Sequence, residues 1–217
     1  MGRPSKRGEL LEVGVSILHR RGYAQASVES ITDAAGVPKG SFFNHFGSKE
    51  AFAVQALQQY YLRWQAKSAP IVADASLGTT EKLRRLLAIV TEAGRDHAYS
   101  YGCLVGNLAA ELTCESAEVR QEISVIFEKW GQPFEAVIRA GQEAGELTAT
   151  LPPAHAARFI VNALQGALLR AKVDHSAAPL EELTEIVNLV VVLSGEAKAI
   201  SKTKPKAATK RKSPQRV

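Results

Sequence analysis

The sequence predicts an all-α protein of about nine helices, on three observations. Apolar residues recur at helical spacing through most of the 217 residues. No stretch keeps the alternation of a half-buried strand. Glycines and prolines fall where one helical stripe ends and the next begins (Gly22, Gly36, Gly47, Gly102, Gly145, Pro152-Pro153, Pro179). An apolar share of 46% with 23% charged residues is enough to bury a core without staples.

The elements follow in order. Leu10, Val13, Gly14, Ile17, Leu18 and Arg21 share one stripe, ended by Gly22. Ser27 reads as an N-cap for a short helix over 28–35, with Ser30 where a complete capping box carries Glu or Gln. Gly36-Val37 is a break. A second short helix starts at Pro38-Lys39 and runs to about His45, with Phe42 and Phe46 one turn apart. Ser48 caps a long helix to about Lys67, and a loop holds Pro70 and Gly78. Further helices are expected at about 80–97, 103–113, 115–144 and 153–173, with a last one from Pro179 to about Glu196. The run Leu189–Leu193 has strand propensity, but Leu183, Ile186, Val187 and Val190 continue the helical spacing into it.

Charge is unevenly spread. Residues 199–217 carry seven basic residues and no acid, residues 1–50 have a net charge of +2, and 51–198 have −4. Two basic ends around an acidic middle suit a nucleic-acid partner, and the last stretch reads as a solvated tail. Two cysteines exclude a disulfide framework. No apolar run approaches the ~20 residues of a membrane helix, and the basic start Met1–Arg7 has no apolar stretch behind it. A cytoplasmic protein without membrane contact is expected.

The informative stretch is Ser27–Glu50. A two-turn helix, a break at Gly36 and a second short helix give the helix-turn-helix arrangement, whose second helix enters the major groove of DNA. The same spacing also occurs in plain bundles. The residues go further. The string Gly22-Tyr23, Ser27-Val28, Ile31, then Ala34 through Glu50 (AAGVPKGSFFNHFGSKE) resembles the N-terminal domain of TetR-family repressors over roughly residues 7–57.

That resemblance implies a three-helix DNA-binding domain over 1–50, a helical ligand-sensing and dimerisation domain over 51–198, and a basic tail over 199–217. Ser27 is placed to offer its hydroxyl and the helix amides to a phosphate. Lys39 opens the recognition helix, with Gly40 and Ser41 keeping its end slim enough to approach base edges. Asn44 and His45 face outward, and Lys49 resembles the family's phosphate-contacting lysine. Phe43 is a departure: many relatives carry a tyrosine there, so a hydroxyl contact is replaced by an apolar one. The partner implied is double-stranded DNA with a palindromic operator, read by a homodimer. The two last helices are the expected dimer surface, the first of them through Ala163, Leu164, Gly166, Ala167, Leu168 and Ala171.

A small-molecule or electrophile inducer is the second expected partner. Trp130, Asn162 and Gln165, with Trp64 and Phe127, are candidate cavity linings. Cys103 follows Gly102 at a helix start, where the backbone dipole favours a thiolate. The string Gly102-Cys103-Leu104-Val105, then Leu108 through Glu111, resembles the electrophile-responsive branch of the family, whose lysine near the end of the penultimate helix corresponds to Lys172. A buried cysteine acting as a small hydrophobe is the plainer alternative. No cofactor or metal is expected. The five histidines are scattered and no Gly-rich phosphate loop or Glu-x-x-His pair is present, which argues against an enzyme. A helical adaptor without DNA binding leaves the Ser27–Lys49 string unexplained.

Overall fold

The computed structural model describes residues 6–187, all of whose regular elements are helical. The eight helices are α1 (Lys6–Gln25), α2 (Val28–Ala34), α3 (Lys39–Phe46), α4 (Lys49–Ala73), α5 (Thr79–Arg95), α6 (Leu104–Leu112), α7 (Ala117–Glu143) and α8 (Pro153–Asp174). A ninth, α9, begins at residue 178 and is described through 187. The predicted helical run Leu189–Leu193 and the basic stretch 199–217 lie outside the described residues.

Serine caps set the starts of α2 and α4. Ser27 caps α2 by accepting from Ser30 N at 3.0 Å, and Ser30 returns its own hydroxyl to Ser27 O at 2.8 Å, filling the place of a capping-box acid. Ser48 caps α4 by accepting from Ala51 N at 3.0 Å. Phe42, Phe46 and Phe52 form one cluster with ring centroids 4.8 to 5.2 Å apart, which locks α3 onto the start of α4. Gly14 of α1 receives the Phe52 ring where any Cβ would collide with it. The head is therefore packed around α4, the long helix that continues into the body.

In the body, α7 packs against α8 and α4, and α5 lies against α4 and α7. Buried Leu83, Leu86, Ile123, Ile126, Phe134, Val137, Ile160 and Leu164 fill that space. Helix α1 crosses from the head to lie on α6 as well as α4.

Two boundaries depart from the sequence reading. Helix α4 runs through Pro70 to Ala73, where a loop is predicted. Proline removes only its own amide donor, and its carbonyl still accepts from Asp74 N at 3.0 Å to close the last turn. Helix α1 continues past Gly22 to Gln25, but with a true break at Gly22, whose φ is 78° and ψ 174°. Among the described residues no helix is long and apolar enough to cross a membrane, and no cluster of His, Cys, Asp and Glu is arranged to hold a metal.

Candidate functional site: a DNA-facing helix and an interior cavity

Helix α3 divides sharply into two faces. Phe42 and Phe46 are buried, at 0% and 5% exposure, while Lys39, Gly40, Asn44 and His45 are exposed and Phe43 is 44% exposed. Ser41 is half-buried. The eight-residue helix is ~12 Å long, and an α-helix with its side chains has a diameter close to the width of the DNA major groove. Of the α3 residues predicted to touch DNA, five are open to solvent and Ser41 is partly covered, while Phe42 and Phe46, predicted to anchor the helix, are buried.

Ser27 is exposed at the N-terminus of α2, and Lys49 is half-buried at the start of α4. Lys49 is already engaged: its Nζ donates to Tyr23 O at 2.6 Å and lies 4.1 Å from the Tyr23 ring centroid. One ammonium hydrogen is spent in holding the side chain against α1, which leaves two donors for a phosphate. Burial lowers the Lys49 pKa from its ordinary value, and the nearby Glu111 carboxylate opposes that shift.

The body contains a cavity of about 240 Å³, walled by α1, α4, α5, α7, α8 and the segment before α6. Trp130, Gln165, Trp64 and Cys103 line it. Trp130 is 7% exposed and its indole N–H has no hydrogen-bond partner among the described residues. That orphaned buried donor is one a ligand acceptor would satisfy. His19, Tyr60, Arg63 and Tyr99 also face the cavity and escaped the sequence reading. Their sequence signal was faint: His19 lies beside the apolar stripe counted for α1, and Tyr60 sits in an aromatic run indistinguishable from core.

His19 is a head residue that reaches the sensor. Its Nε2 is bonded to Gly102 O at 2.8 Å, and its ring lies edge-on to Tyr60, His97 and Tyr101. Burial lowers its pKa below the ordinary imidazole value, against the raising effect of the Gly102 carbonyl, and His97 and Lys172 add to the lowering.

Cys103 is the N-cap of α6 and is 6% exposed. The expectation of a low thiol pKa is not met. Hydrogen bonds from the Gly106 and Val105 amides, Gln165 and Tyr60 favour the thiolate, but burial outweighs them and raises the thiol above its ordinary value. Lys172 does not join it. Its stem lies on Gly102, while its Nζ donates to Asn107 Oδ1 at 3.2 Å, in a separate recess beside Arg20 and Arg21.

Asn162 also departs from expectation. It is exposed on the outer side of α8 and does not line the cavity, and Phe127 packs on Trp130 without reaching the cavity wall. The outer side of α8 carries Phe159, Asn162, Gly166, Leu169 and Val173 in one stripe, with Phe159, Leu169 and Val173 61–66% exposed. Of the residues named for a dimer surface, Gly166 lies on that stripe, whereas Leu164 and Ala171 are core.

Comparison with known proteins finds two family matches along the chain. Residues 10–56 match the family described as bacterial regulatory proteins, tetR family, and residues 79–187 match the tetracyclin repressor-like C-terminal domain. The chain is 39% identical to the HTH-type transcriptional repressor DhaR of Mycobacterium sp. strain GP1, over 86% of this chain and 92% of that protein. It is 31% identical to the transcriptional regulator AcuR of Cereibacter sphaeroides, over 81% and 80%. Among solved structures it resembles a regulatory protein TetR from Rhodobacter sphaeroides, with a TM-score of 0.80 and 30% identity over 85% of this chain and 97% of that one. It also resembles the reduced form of NemR from E. coli, with a TM-score of 0.75 and 26% identity over 86% and 97%. With its exposed α3 and its walled interior cavity, the chain belongs to the TetR family as a DNA-binding, ligand-responsive transcriptional repressor.

Proposed function

We propose that this repressor binds a palindromic operator as a homodimer and lets go when a small electrophile reacts with Cys103. Residues 1–50 form the DNA-binding head, 51–198 the sensing and dimerising body, and 199–217 a basic tail that adds non-specific affinity. In the head, Lys39, Gly40, Ser41, Phe43, Asn44 and His45 meet the major groove, and Ser27 and Lys49 hold phosphates. The exposed apolar stripe of α8 supports pairing of two copies, since a contiguous apolar face of this kind is a common mark of an interface.

The observation that carries the sensing half is a cysteine in the wall of an interior cavity, bracketed by a tyrosine hydroxyl and a glutamine amide. With an electron-poor alkene, the thiol gives up its proton and sulfur bonds to the β-carbon. The π electron pair moves toward the carbonyl, and a proton from solvent completes the adduct. Tyr60, held protonated by burial, and Gln165 are donors within reach of such a carbonyl. The orphaned Trp130 N–H favours a second reading, a ligand with an acceptor group held without a covalent bond.

The test uses an operator selected by the full chain from a random duplex pool. Binding should show two-fold symmetry and fall steeply with salt. N-ethylmaleimide should release the C114S variant, which keeps Cys103, and leave C103S/C114S bound. Release of both variants would overturn the covalent reading, and failure to select any duplex would overturn the DNA-binding one.

A further inference from the structure

Glu111 ends the string that begins at Gly102, yet it takes no part in the cavity wall. Its carboxylate leaves α6 and reaches α1. Oε1 accepts from Tyr23 N at 3.1 Å and Oε2 from Ala24 N at 2.9 Å. The positive φ of Gly22 turns the chain just before these two donors. Glycine suits that positive φ, and a Cβ there would stand 2.5 Å from Glu111 Oε1 and displace the carboxylate.

The same residue receives Lys49 from the opposite side. Tyr23 N is held by Glu111, while Tyr23 O holds the Lys49 ammonium and the Tyr23 ring lies beneath it. Four residues after Tyr23 comes Ser27, the cap of α2, with fully buried Ala26 in between. One carboxylate on α6 thus holds the segment that leads into Ser27 and that receives the Lys49 ammonium.

We propose that Glu111 is a positioning residue for DNA binding: from α6 it grips the Tyr23 and Ala24 amides and so sets where Lys49 and the α2 N-terminus face the duplex. The proposal rests on the reading of Lys49 and Ser27 as phosphate contacts and adds the side chain that aims them. A carboxylate accepting from two adjacent amides forms charge-assisted bonds, stronger and more directional than a glutamine in the same place could make. Helix α6 is a rod of nine residues, with Cys103 capping one end and Glu111 near the other, ~12 Å along it.

The experiment measures operator affinity of the full chain against salt for E111Q, K49A and the double variant. E111Q should lower affinity about tenfold and reduce the salt slope by roughly one, as loss of one phosphate contact does. The double variant should bind within ~2-fold of E111Q alone, because loss of the Glu111 carboxylate already removes the Lys49 contact. Affinity of E111Q within twofold of the parent, or losses that simply add, would overturn the proposal. Amide exchange supplies a readout that needs no variant: Tyr23 and Ala24 should be protected in the operator complex, and fast exchange there would also overturn it. If the parent itself binds no duplex, the DNA-binding reading fails. If the parent binds and E111Q matches it, only the role of Glu111 fails.

Discussion

The reactivity of Cys103 gives the sharpest quantitative test, because two features of the structure push it in opposite directions. The helix N-terminus and two side-chain donors favour the thiolate, and burial at 6% exposure opposes it and wins. The thiol therefore titrates above the ordinary cysteine value. Only the thiolate attacks, so alkylation should climb by at least ~25-fold between pH 7 and pH 9 for a thiol titrating above ~8.5, against about 2-fold for one titrating near 7. The measurement is the rate of iodoacetamide incorporation at Cys103 in the C114S variant, followed by intact mass. Cys114 is replaced because it is exposed and reacts independently. A rate that is flat over that range would show that the amides and donors outweigh burial. The thiol would then be a pre-ionised nucleophile, as the sequence alone suggests.

Four further outcomes follow from the geometry. K49A should weaken binding to every duplex by a similar factor and lower the salt slope by about one; loss confined to one sequence, in a filter-binding series, would instead mark Lys49 as a base reader. F42A removes a fully buried ring from the three-phenylalanine cluster and should cost ~3–5 kcal/mol in urea unfolding, with binding lost in step with folding. L169E places a charge on the apolar stripe of α8 and should move the protein from dimer to monomer in light scattering; an unchanged dimer would place the interface elsewhere. His19, held below the ordinary imidazole pKa by burial, should make stability fall as pH drops below ~6.5, where the unfolded chain takes up a proton that the folded chain resists; in a melting series H19Q should flatten that fall.

The head was largely legible from sequence because its rules are local. Ser27 and Ser48 are caps whose effect is felt within three residues, and Phe42 and Phe46 lie one turn apart on an isolated short helix. Which side of α3 faces out follows from those two rings alone. The body was legible only as helices. Periodicity placed α5 to α8 within a few residues, but it could not say which polar side chain on a helix faces a hole and which faces water. Asn162 and Gln165 are three positions apart on α8, and their fates differ: one is exposed on the outer stripe, the other hydrogen-bonds a thiol inside the cavity. That choice depends on where α4, α6 and α7 sit around α8, and no local pattern carries it.

The reversed expectation at Cys103 has the same physical origin. A helix N-terminus is a local feature and was correctly located, since Cys103 does cap α6 and does receive amide hydrogen bonds. Burial is a property of the whole fold. Its effect on a thiol is of the same order as two or three hydrogen bonds, so the sign of the sum cannot be read from the helix alone. Lys172, whose ammonium would favour a nearby thiolate, is drawn to Asn107 instead. A buried thiol raised in this way is protected from casual oxidation and alkylation, and reacts fastest with a molecule that the cavity holds against it. If an electrophile is the inducer, as proposed above, selectivity would come from the cavity lining of Trp130, Tyr60 and Gln165 more than from the intrinsic nucleophilicity of the sulfur.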